Sequence, residues 1–175
     1  MRAAERWVLR NSALLITSSP GFKKHYFEPI QRHSEPIALL ENKLWIEGEA
    51  ARPRKRQRAT NPIVIGSVGS IRCARSLEIL AGAADRLGPR VKIALHGNVH
   101  RHAVPEFDAV VAAHPNITWH GAYDYPDGLG PVYAGCDLVW AQDLRQSGGN
   151  SDWLLPNRIY EAGWHGCPVL AVRGT

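Results

Sequence analysis

Short apolar runs alternate with helical segments from residue 63 to the end of the sequence, and this alternation constrains the fold more than any other feature. Five runs have the length and composition of buried strands, at 63–68, 91–95, 116–119, 137–141 and 169–172. Segments of helical character separate them, at 74–87, 107–113, 132–134 and 157–166. Strands that alternate with helices at this interval predict an α/β fold, a doubly wound parallel sheet with helices on both faces.

The first sixty residues have a different organisation. An apolar run at 13–17 predicts a strand, a turn at 18–21 leads into a short helix, and a second apolar run follows at 37–40. So few elements cannot build a core of their own. Residues 47–61 have the charged, proline-bounded composition of a linker. We therefore predict an N-terminal segment at 1–46, a basic linker at 47–61 and the sheet domain at 62–175.

The net charge of +5 comes from one place, because five basic residues lie within 52–58 and the rest of the chain is neutral. Nucleic-acid-binding modules usually spread basic residues over a face and add stacking aromatic side chains, and this run contains no aromatic residue. We predict a solvated linker and no nucleic-acid partner. Contact of the run with anionic lipid or nucleic acid is the alternative.

The cysteine pattern points to a reducing compartment, and the hydropathy predicts no membrane span. Cys73, Cys136 and Cys167 are widely spaced and form no CxxC pair, so neither a disulfide framework nor a zinc site is indicated. No apolar run approaches the ~20 residues of a membrane span, and the N-terminus lacks a signal-like apolar core. We predict a cytoplasmic location, with peripheral contact at the inner face of the membrane as an open alternative.

The loops after the predicted strands share one edge of the sheet, where ligands of such folds bind. They contain Gly69 and Ser70, Gly97 and Asn98, Tyr123, Gln142 and Asp143, and the stretch 150–161. Arg72 and Arg75 follow the first loop. Guanidinium groups bind a diphosphate bidentately and stabilise the charge that it gains as a leaving group. Gly66 and Gly69 do not complete a Gly-x-Gly-x-x-Gly pattern, so a dinucleotide site is poorly supported.

The most informative loop leads into the last predicted helix. Pro156 marks a turn, and we predict Asn157 as the N-cap because its side chain can accept from a free amide of the first turn. Those amides and the helix dipole suit a phosphate group. Glu161 lies one turn further on, where a carboxylate can hold a pair of sugar hydroxyls.

Eight residues of this region follow the pattern P-N-[KR]-x-Y-E-x-x-x-x-G-x-P-V; they are Pro156, Asn157, Arg158, Tyr160, Glu161, Gly166, Pro168 and Val169. The region resembles the nucleotide-sugar site of GT-B glycosyltransferases of family 4, and its Trp-Leu-Leu-Pro-Asn-Arg variant resembles bacterial exopolysaccharide transferases of the succinoglycan type. The resemblance implies that the Rossmann-like sheet is the C-terminal half of a GT-B fold. It also makes 1–46 a remnant of the N-terminal, acceptor-binding domain.

The resemblance further implies an activity. The full enzyme would transfer a sugar from a UDP- or GDP-type donor to a saccharide or lipid-linked acceptor, with retention of configuration and without a metal or other cofactor. Arg72, in the family's Gly-x-x-Arg, is implied as the catalytic group that stabilises the departing diphosphate. Glu161 matches the second glutamate of E-x7-E, which holds the ribose. The implied donor-binding residues are Gly69, Ser70, Arg75, Gly97, Asn98, Tyr123, Leu155, Asn157, Arg158 and Glu161.

The sequence departs from the family pattern at one position. The first glutamate of E-x7-E falls on Trp153, and the neighbouring Asp152 is shifted by one residue. We expect backbone amides around Leu155 and Asn157 to contact the donor instead. Because the acceptor cleft would precede this chain in the GT-B fold, we expect the chain alone to bind nucleotide weakly and not to transfer sugar.

Other interpretations remain open from the sequence. His96, His100 and His102 form an H-x3-H-x-H cluster, but no carboxylate or cysteine stands at ligand spacing beyond it, and we predict no metal site. A non-catalytic nucleotide-binding or regulatory module is the alternative function. A basic nucleic-acid-binding protein is a second, weaker alternative.

Overall fold

The computed structural model describes residues 2–44, 61–146 and 148–173. The predicted basic run at 52–58, and with it almost all of the linker at 47–61, lies outside the described residues. Within the described ranges, no helix combines the length and the hydropathy that crossing a membrane would require.

The predicted elements from residue 13 onward are present, and the bounds of the longest helix coincide with the prediction. The strands are β1 Leu15–Thr17, β2 Ile37–Leu39, β3 Ile63–Val68, β4 Val91–His96, β5 Ile117–Trp119, β6 Leu138–Trp140 and β7 Val169–Leu170. The helices are α1 Arg2–Arg10, α2 Pro20–Phe22, α3 Ala74–Leu87, α4 Phe107–Ala113, α5 Leu129–Ala134, α6 Asn150–Trp153 and α7 Asn157–Trp164. A π-helical turn, Lys23–Phe27, extends α2.

Five strands form one parallel sheet in the order β5-β4-β3-β6-β7. The central strand β3 pairs with β4 over its whole length, from Ile63 opposite Val91 to Val68 opposite His96. On its other side β3 pairs with β6. The chain therefore winds outward in both directions from β3, and the strand order reverses between β3 and β6. This arrangement confirms the predicted doubly wound α/β fold.

Helices cover both faces of this sheet. On one face α3 and α4 bury Leu80 and Phe107 against Ile93. On the other face α5 and α7 bury Tyr133 and Ala162. Each of these five side chains is 3% exposed or less. The two apolar layers fix the strands, and the loops at the carboxyl ends of the strands are held in place with them.

Residues 2–44 contain a small two-stranded parallel sheet, in which Leu15 of β1 lies opposite Ile37 of β2. Helix α1, which was not predicted from the sequence, is attached to this segment by hydrogen bonds to its Glu5. The hydroxyl of Tyr26 and Nε2 of Gln31 donate to Oε2 of Glu5 at 2.7 and 2.6 Å. The boundaries predicted at 46 and 61 stay predictions.

The structure corrects two predictions in the stretch 150–166. Pro156 occupies the N-cap position of α7 with an extended backbone, φ −64° and ψ 143°, so Asn157 is the first helical residue and its side chain does not cap the helix. Residues 150–153 form the short helix α6 where a polar loop was predicted. Ser151 is anchored there by the preceding loop, since its Oγ accepts from the amide of Gln146 and its carbonyl oxygen accepts from Nε2 of Gln142.

Two glycines allow the loops after β3 and β4 to approach each other closely. Gly69 and Gly97 have φ values of 107° and 126°, which side chains rarely adopt. A Cβ on Gly97 would overlap the carbonyl oxygen of Gly69 and lie 2.7 Å from its carbonyl carbon. The amide of Gly69 donates to the carbonyl oxygen of His96 at 2.9 Å. The position of the Gly69 loop therefore depends on the absence of a side chain at 97.

We predict that Gly97→Ala lowers the free energy of unfolding by roughly 2 to 4 kcal/mol, because the new methyl group meets backbone and the φ is strained. Urea denaturation followed by circular dichroism measures this loss. The matched control is Gly82→Ala in the interior of α3, where a Cβ meets no atom within 4 Å. That variant should be stabilised by about 0.5 to 1 kcal/mol. Equal stability of the two variants would contradict the prediction.

Candidate functional site

A cleft of about 490 Å³ opens at the carboxyl ends of the strands, beside the point where the strand order reverses. Loops after β3 and β6 form one wall, and the first two turns of α7 form another. Eight of the predicted site residues line it; they are Gly69, Ser70, Arg72, Tyr123, Leu155, Asn157, Arg158 and Glu161. Sequence positions more than ninety residues apart are thus brought to one cleft, as parallel strand topology requires.

Glu161 lines the cleft as a buried carboxylate, only 6% exposed. The hydroxyl of Tyr133 in α5 donates to Oε2 of Glu161 at 2.8 Å. Burial, and then the charge and hydrogen bond of Glu161, raise the pKa of the Tyr133 phenol well above its usual range, so that the hydroxyl stays a donor. One carboxylate oxygen of Glu161 is therefore already hydrogen-bonded within the protein. The tyrosine fixes the direction in which Glu161 faces the cleft.

Arg158 lies one turn before Glu161 on α7 and carries a desolvated positive charge. Nη1 of Arg158 donates to the carbonyl oxygen of Trp140, at the end of β6, at 3.5 Å. A Cβ on Gly69 would lie 3.6 Å from Nη2, so the bare glycine backbone faces the guanidinium group. Burial lowers the pKa of Arg158 from its ordinary value, although an arginine stays protonated. A half-buried cation of this kind favours an anionic ligand, which would replace the lost hydration.

Arg72 approaches the same cleft from the loop after β3. Nη2 of Arg72 lies 3.3 Å from Oδ2 of Asp143, which follows β6. The Arg72 side chain is 45% exposed, whereas that of Asp143 is 12% exposed. Oδ1 of Asp143 also accepts from the amide of Arg145 at 3.0 Å. Asp143 is therefore the fixed member of the pair, and Arg72 has the freedom to contact a ligand.

Three predicted residues lie at this edge of the sheet but not among the described residues that line the cleft. Arg75 forms an exposed ion pair with Glu78 at 2.9 Å. Gly97 packs behind Gly69. The carbonyl oxygen of Asn98 accepts from the amide of Ile71 at 2.9 Å, which joins the loops after β4 and β3. Donor binding by these three residues stays a prediction.

The cleft is also lined by residues outside the predicted donor-binding set, among them Ser18, Phe22, Asn42, Tyr125, Asp143 and Asn150. The sequence placed Asp143 and Asn150 at this edge of the sheet but assigned them no ligand. Ser18 follows β1 and Asn42 comes soon after β2, so the rule that ligands lie at the carboxyl ends of parallel strands was a usable signal for both. No sequence signal identified the partner of Glu161, because Tyr133 lies twenty-eight residues away in a segment predicted only as helix.

Trp153, at the position of the expected first glutamate, packs against the N-terminal segment. Its ring stacks on that of His25, with centroids 5.2 Å apart and an angle of 7°. The hydroxyl of Ser19 donates to its carbonyl oxygen. Within the described part of the chain, the residues that line the cleft include Asn150 and Leu154 but not Trp153. This side chain thus joins residues 2–44 to α6.

The histidine cluster is divided between two pairs. The rings of His100 and His102 meet edge to face at 5.8 Å, whereas His96 stacks on His120 at 4.5 Å. Burial, and then the charge of His120, lower the pKa of His96. Across residues 2–44, 61–146 and 148–173, no three histidine, cysteine or acidic side chains are grouped as they would be to hold a metal ion.

Comparison with known proteins reveals one clear sequence relationship, although no model of a known protein family matches the chain. The chain is 39% identical over 180 residues to the succinoglycan biosynthesis protein ExoL of Rhizobium meliloti (strain 1021), a match that covers 100% of this chain and 45% of ExoL. The chain thus spans about half the length of this relative.

Solved structures share the fold. HepE of Anabaena, in complex with UDP and glucose, superposes with a TM-score of 0.70 at 18% identity, over 98% of this chain and 47% of HepE. The lipopolysaccharide outer core galactosyltransferase WaaB superposes with a TM-score of 0.57 at 14% identity, over 92% of this chain and 46% of WaaB. The two superpositions confirm the fold that the resemblance implies, and the sequence of the chain is similar to that of a protein of succinoglycan biosynthesis.

Proposed function

We propose that this chain provides the donor-binding half of a glycosyltransferase that moves a sugar from a nucleoside-diphosphate donor to a saccharide or lipid-linked acceptor. One observation carries the proposal. Arg158 and Glu161, one turn apart on α7, place a desolvated guanidinium and a buried carboxylate side by side in the cleft at the switch point. A nucleoside diphosphate offers both an anion and a pair of ribose hydroxyls. HepE, which shares the fold, was solved with UDP and glucose.

Arg72 and Arg158 have different roles towards the diphosphate. Breaking the bond between the sugar and the diphosphate places negative charge on the departing phosphate oxygens, and fixed positive groups in a cleft with little water stabilise that charge. Arg158 is held in place before the ligand arrives, by the carbonyl oxygen of Trp140. Arg72 is more exposed and would turn from Asp143 towards the phosphates. We propose Arg72 as the catalytic group and Arg158 as the group that anchors the diphosphate.

The two arginines supply positive charge of the kind that a divalent cation provides in other transferases, and this supports a metal-independent reaction. Retention of configuration is proposed from the family resemblance. Glu161, held from behind by Tyr133, would accept hydrogen bonds from the ribose hydroxyls through its other oxygen. Asn157, at the start of α7, and the backbone of Leu155 line the same wall and would contact the phosphates.

We predict that one nucleoside diphosphate among UDP, GDP and ADP raises the melting temperature of the chain. A ligand that binds only the folded state, at about 100 times its dissociation constant, should raise this temperature by roughly 5 to 10 °C. Arg158→Gln, Arg72→Ala and Glu161→Gln should each reduce the shift. Thermal melts followed by circular dichroism, with each nucleotide in turn, measure it.

The matched control is Arg86→Ala, which removes an exposed arginine from the last turn of α3, at the opposite edge of the sheet. This variant should keep the full shift, because it loses the same charge outside the cleft. A cooperative melt that none of the three nucleotides moves would contradict the proposed function.

We predict that Tyr133→Phe weakens binding of the selected diphosphate by roughly 5- to 20-fold, because the buried Glu161 loses the donor that orients it. Isothermal titration calorimetry measures this change. The chain offers a matched control in Tyr26→Phe, which removes a similar tyrosine-to-glutamate hydrogen bond, to Glu5, outside the cleft. Equal affinities of the two variants would show that the orientation of Glu161 does not affect binding.

We predict that the chain as it stands binds the donor but does not transfer its sugar. In a GT-B enzyme the acceptor lies between two halves, and the described cleft belongs mainly to the half at 62–175, with residues such as Ser18 and Asn42 at its rim. Incubation with UDP-glucose or GDP-mannose and lipid-linked saccharide acceptors, followed by chromatography of the products, should show no transfer. Formation of a glycosylated acceptor would refute this prediction.

A further inference from the structure

Asp143 places a negative charge inside a cleft that otherwise suits an anion. It follows β6, lines the cleft and lies 3.3 Å from Nη2 of Arg72. The field of the same carboxylate also reaches the half-buried Arg158. A carboxylate beside bound phosphates repels them, because charges of the same sign lie close together. Binding of the diphosphate alone therefore does not explain an acidic side chain at this place in the cleft.

Sugar hydroxyls are the part of the donor that a carboxylate favours. A carboxylate has about four lone-pair positions, and here two partners occupy one position each. Oδ1 accepts from the amide of Arg145 at 3.0 Å, and Oδ2 faces Arg72. The remaining positions can accept from two neighbouring hydroxyls of a hexose, with the strength of charge-assisted hydrogen bonds. The amide of Arg145 fixes the orientation of the carboxylate before a ligand arrives.

The family pattern predicts an acidic side chain at position 153, but the cleft receives no acidic group from that position. Trp153 stands there, stacked on His25 and bonded through its carbonyl oxygen to Ser19. Asp152 beside it is engaged elsewhere, since its Oδ2 accepts from the amide of Gly148 at 2.8 Å. Within the described residues, the acidic side chains that line the cleft are Asp143 and Glu161. Since Glu161 is held by Tyr133, Asp143 is the acidic group left for the sugar.

We propose that Asp143 is the specificity-determining residue that recognises hydroxyl groups of the donor's hexose. The inference rests on the proposed function, because it takes the cleft to be the donor site. In the free protein Asp143 neutralises Arg72. When the donor binds, Arg72 turns to the diphosphate and the carboxylate accepts from the sugar.

The test compares diphosphates with their sugar conjugates on the same variants. Dissociation constants of UDP, UDP-glucose, UDP-galactose, GDP and GDP-mannose are measured by calorimetry for the unaltered chain and for Asp143→Asn. The asparagine keeps the shape and loses the charge. We expect Asp143→Asn to bind the free diphosphate as tightly as the unaltered chain or more tightly, because a repulsion is removed. The preferred nucleotide sugar should bind about 10-fold more weakly.

Two further variants make the result specific. Asp152→Asn is the matched control, because it removes a neighbouring carboxylate outside the cleft, and it should leave all the constants unchanged. Asp143→Ser keeps a side-chain oxygen that can accept from the amide of Arg145, and it should repeat the effect of Asp143→Asn. Because binding of the free diphosphate reports a folded cleft, a variant that retains it has not simply unfolded.

Several outcomes would overturn the inference. Equal weakening of the diphosphate and its sugar conjugate by Asp143→Asn would mean that Asp143 acts only through Arg72. Unchanged constants would mean that it has no role in binding, and selective weakening by Asp152→Asn would move the role to that residue. If neither diphosphate nor any conjugate binds the unaltered chain, the proposed function fails and this inference with it. Binding of the diphosphate without the selective effect removes the inference alone.

Discussion

The central strand β3 is the constraint on which the rest of the structure depends. It pairs with β4 along its whole length and with β6 on the other side, so both halves of the sheet take their register from it. The strand ends directly before Gly69, whose positive φ turns the chain against Gly97. The loop that carries Arg72 therefore inherits its position from backbone pairing in the sheet. This is how a parallel sheet holds a polar site rigidly without placing polar groups in its core.

Helix α7 keeps two opposite charges largely out of water, and the surroundings of each explain how. Glu161 accepts a hydrogen bond from the hydroxyl of Tyr133, which lies in the apolar layer between α5, α7 and the sheet. Arg158 reaches the carbonyl oxygen of Trp140 at the end of β6. Each of these charges, buried for Glu161 and half-buried for Arg158, thus has a polar partner, as removal of a charged group from water requires. Glu161 and Arg158 can each form further hydrogen bonds on the side that faces the cleft, where a ligand with phosphates and hydroxyls would complete them.

The N-terminal segment contributes to the same region through α6. Ser19 and His25 hold Trp153, while Ser18 and Asn42 reach the rim of the cleft. Trp153, where the family pattern predicts a glutamate, therefore makes a contact between segments and does not line the cleft. The proposed role of Asp143 in recognising the donor sugar is consistent with this arrangement.

The sequence by itself determined the alternation of strands and helices in the parallel sheet and the edge at which the candidate site residues lie. Apolar periodicity located α3 to the residue, and strand topology placed Gly69, Arg72, Arg158 and Glu161 at one edge, because these properties depend on local patterns and on the direction of strands. Helix α1, the N-cap at Pro156 and the helical turn at 150–153 lacked a sufficient local signal. The last of these depends on contacts of Ser151 with Gln142 and Gln146.

Only the tertiary structure decided which charges are paired and which are buried. The hydrogen bond between Tyr133 and Glu161 and the pairing of Arg72 with Asp143 join residues twenty-eight and seventy-one positions apart. Such pairs are set by how helices and loops pack on the sheet, to within an ångström, and a sequence pattern records the type of each side chain but not its neighbour. For this reason the sequence located the cleft, while the orientation of Glu161 and the acidic partner of Arg72 emerged only from the fold.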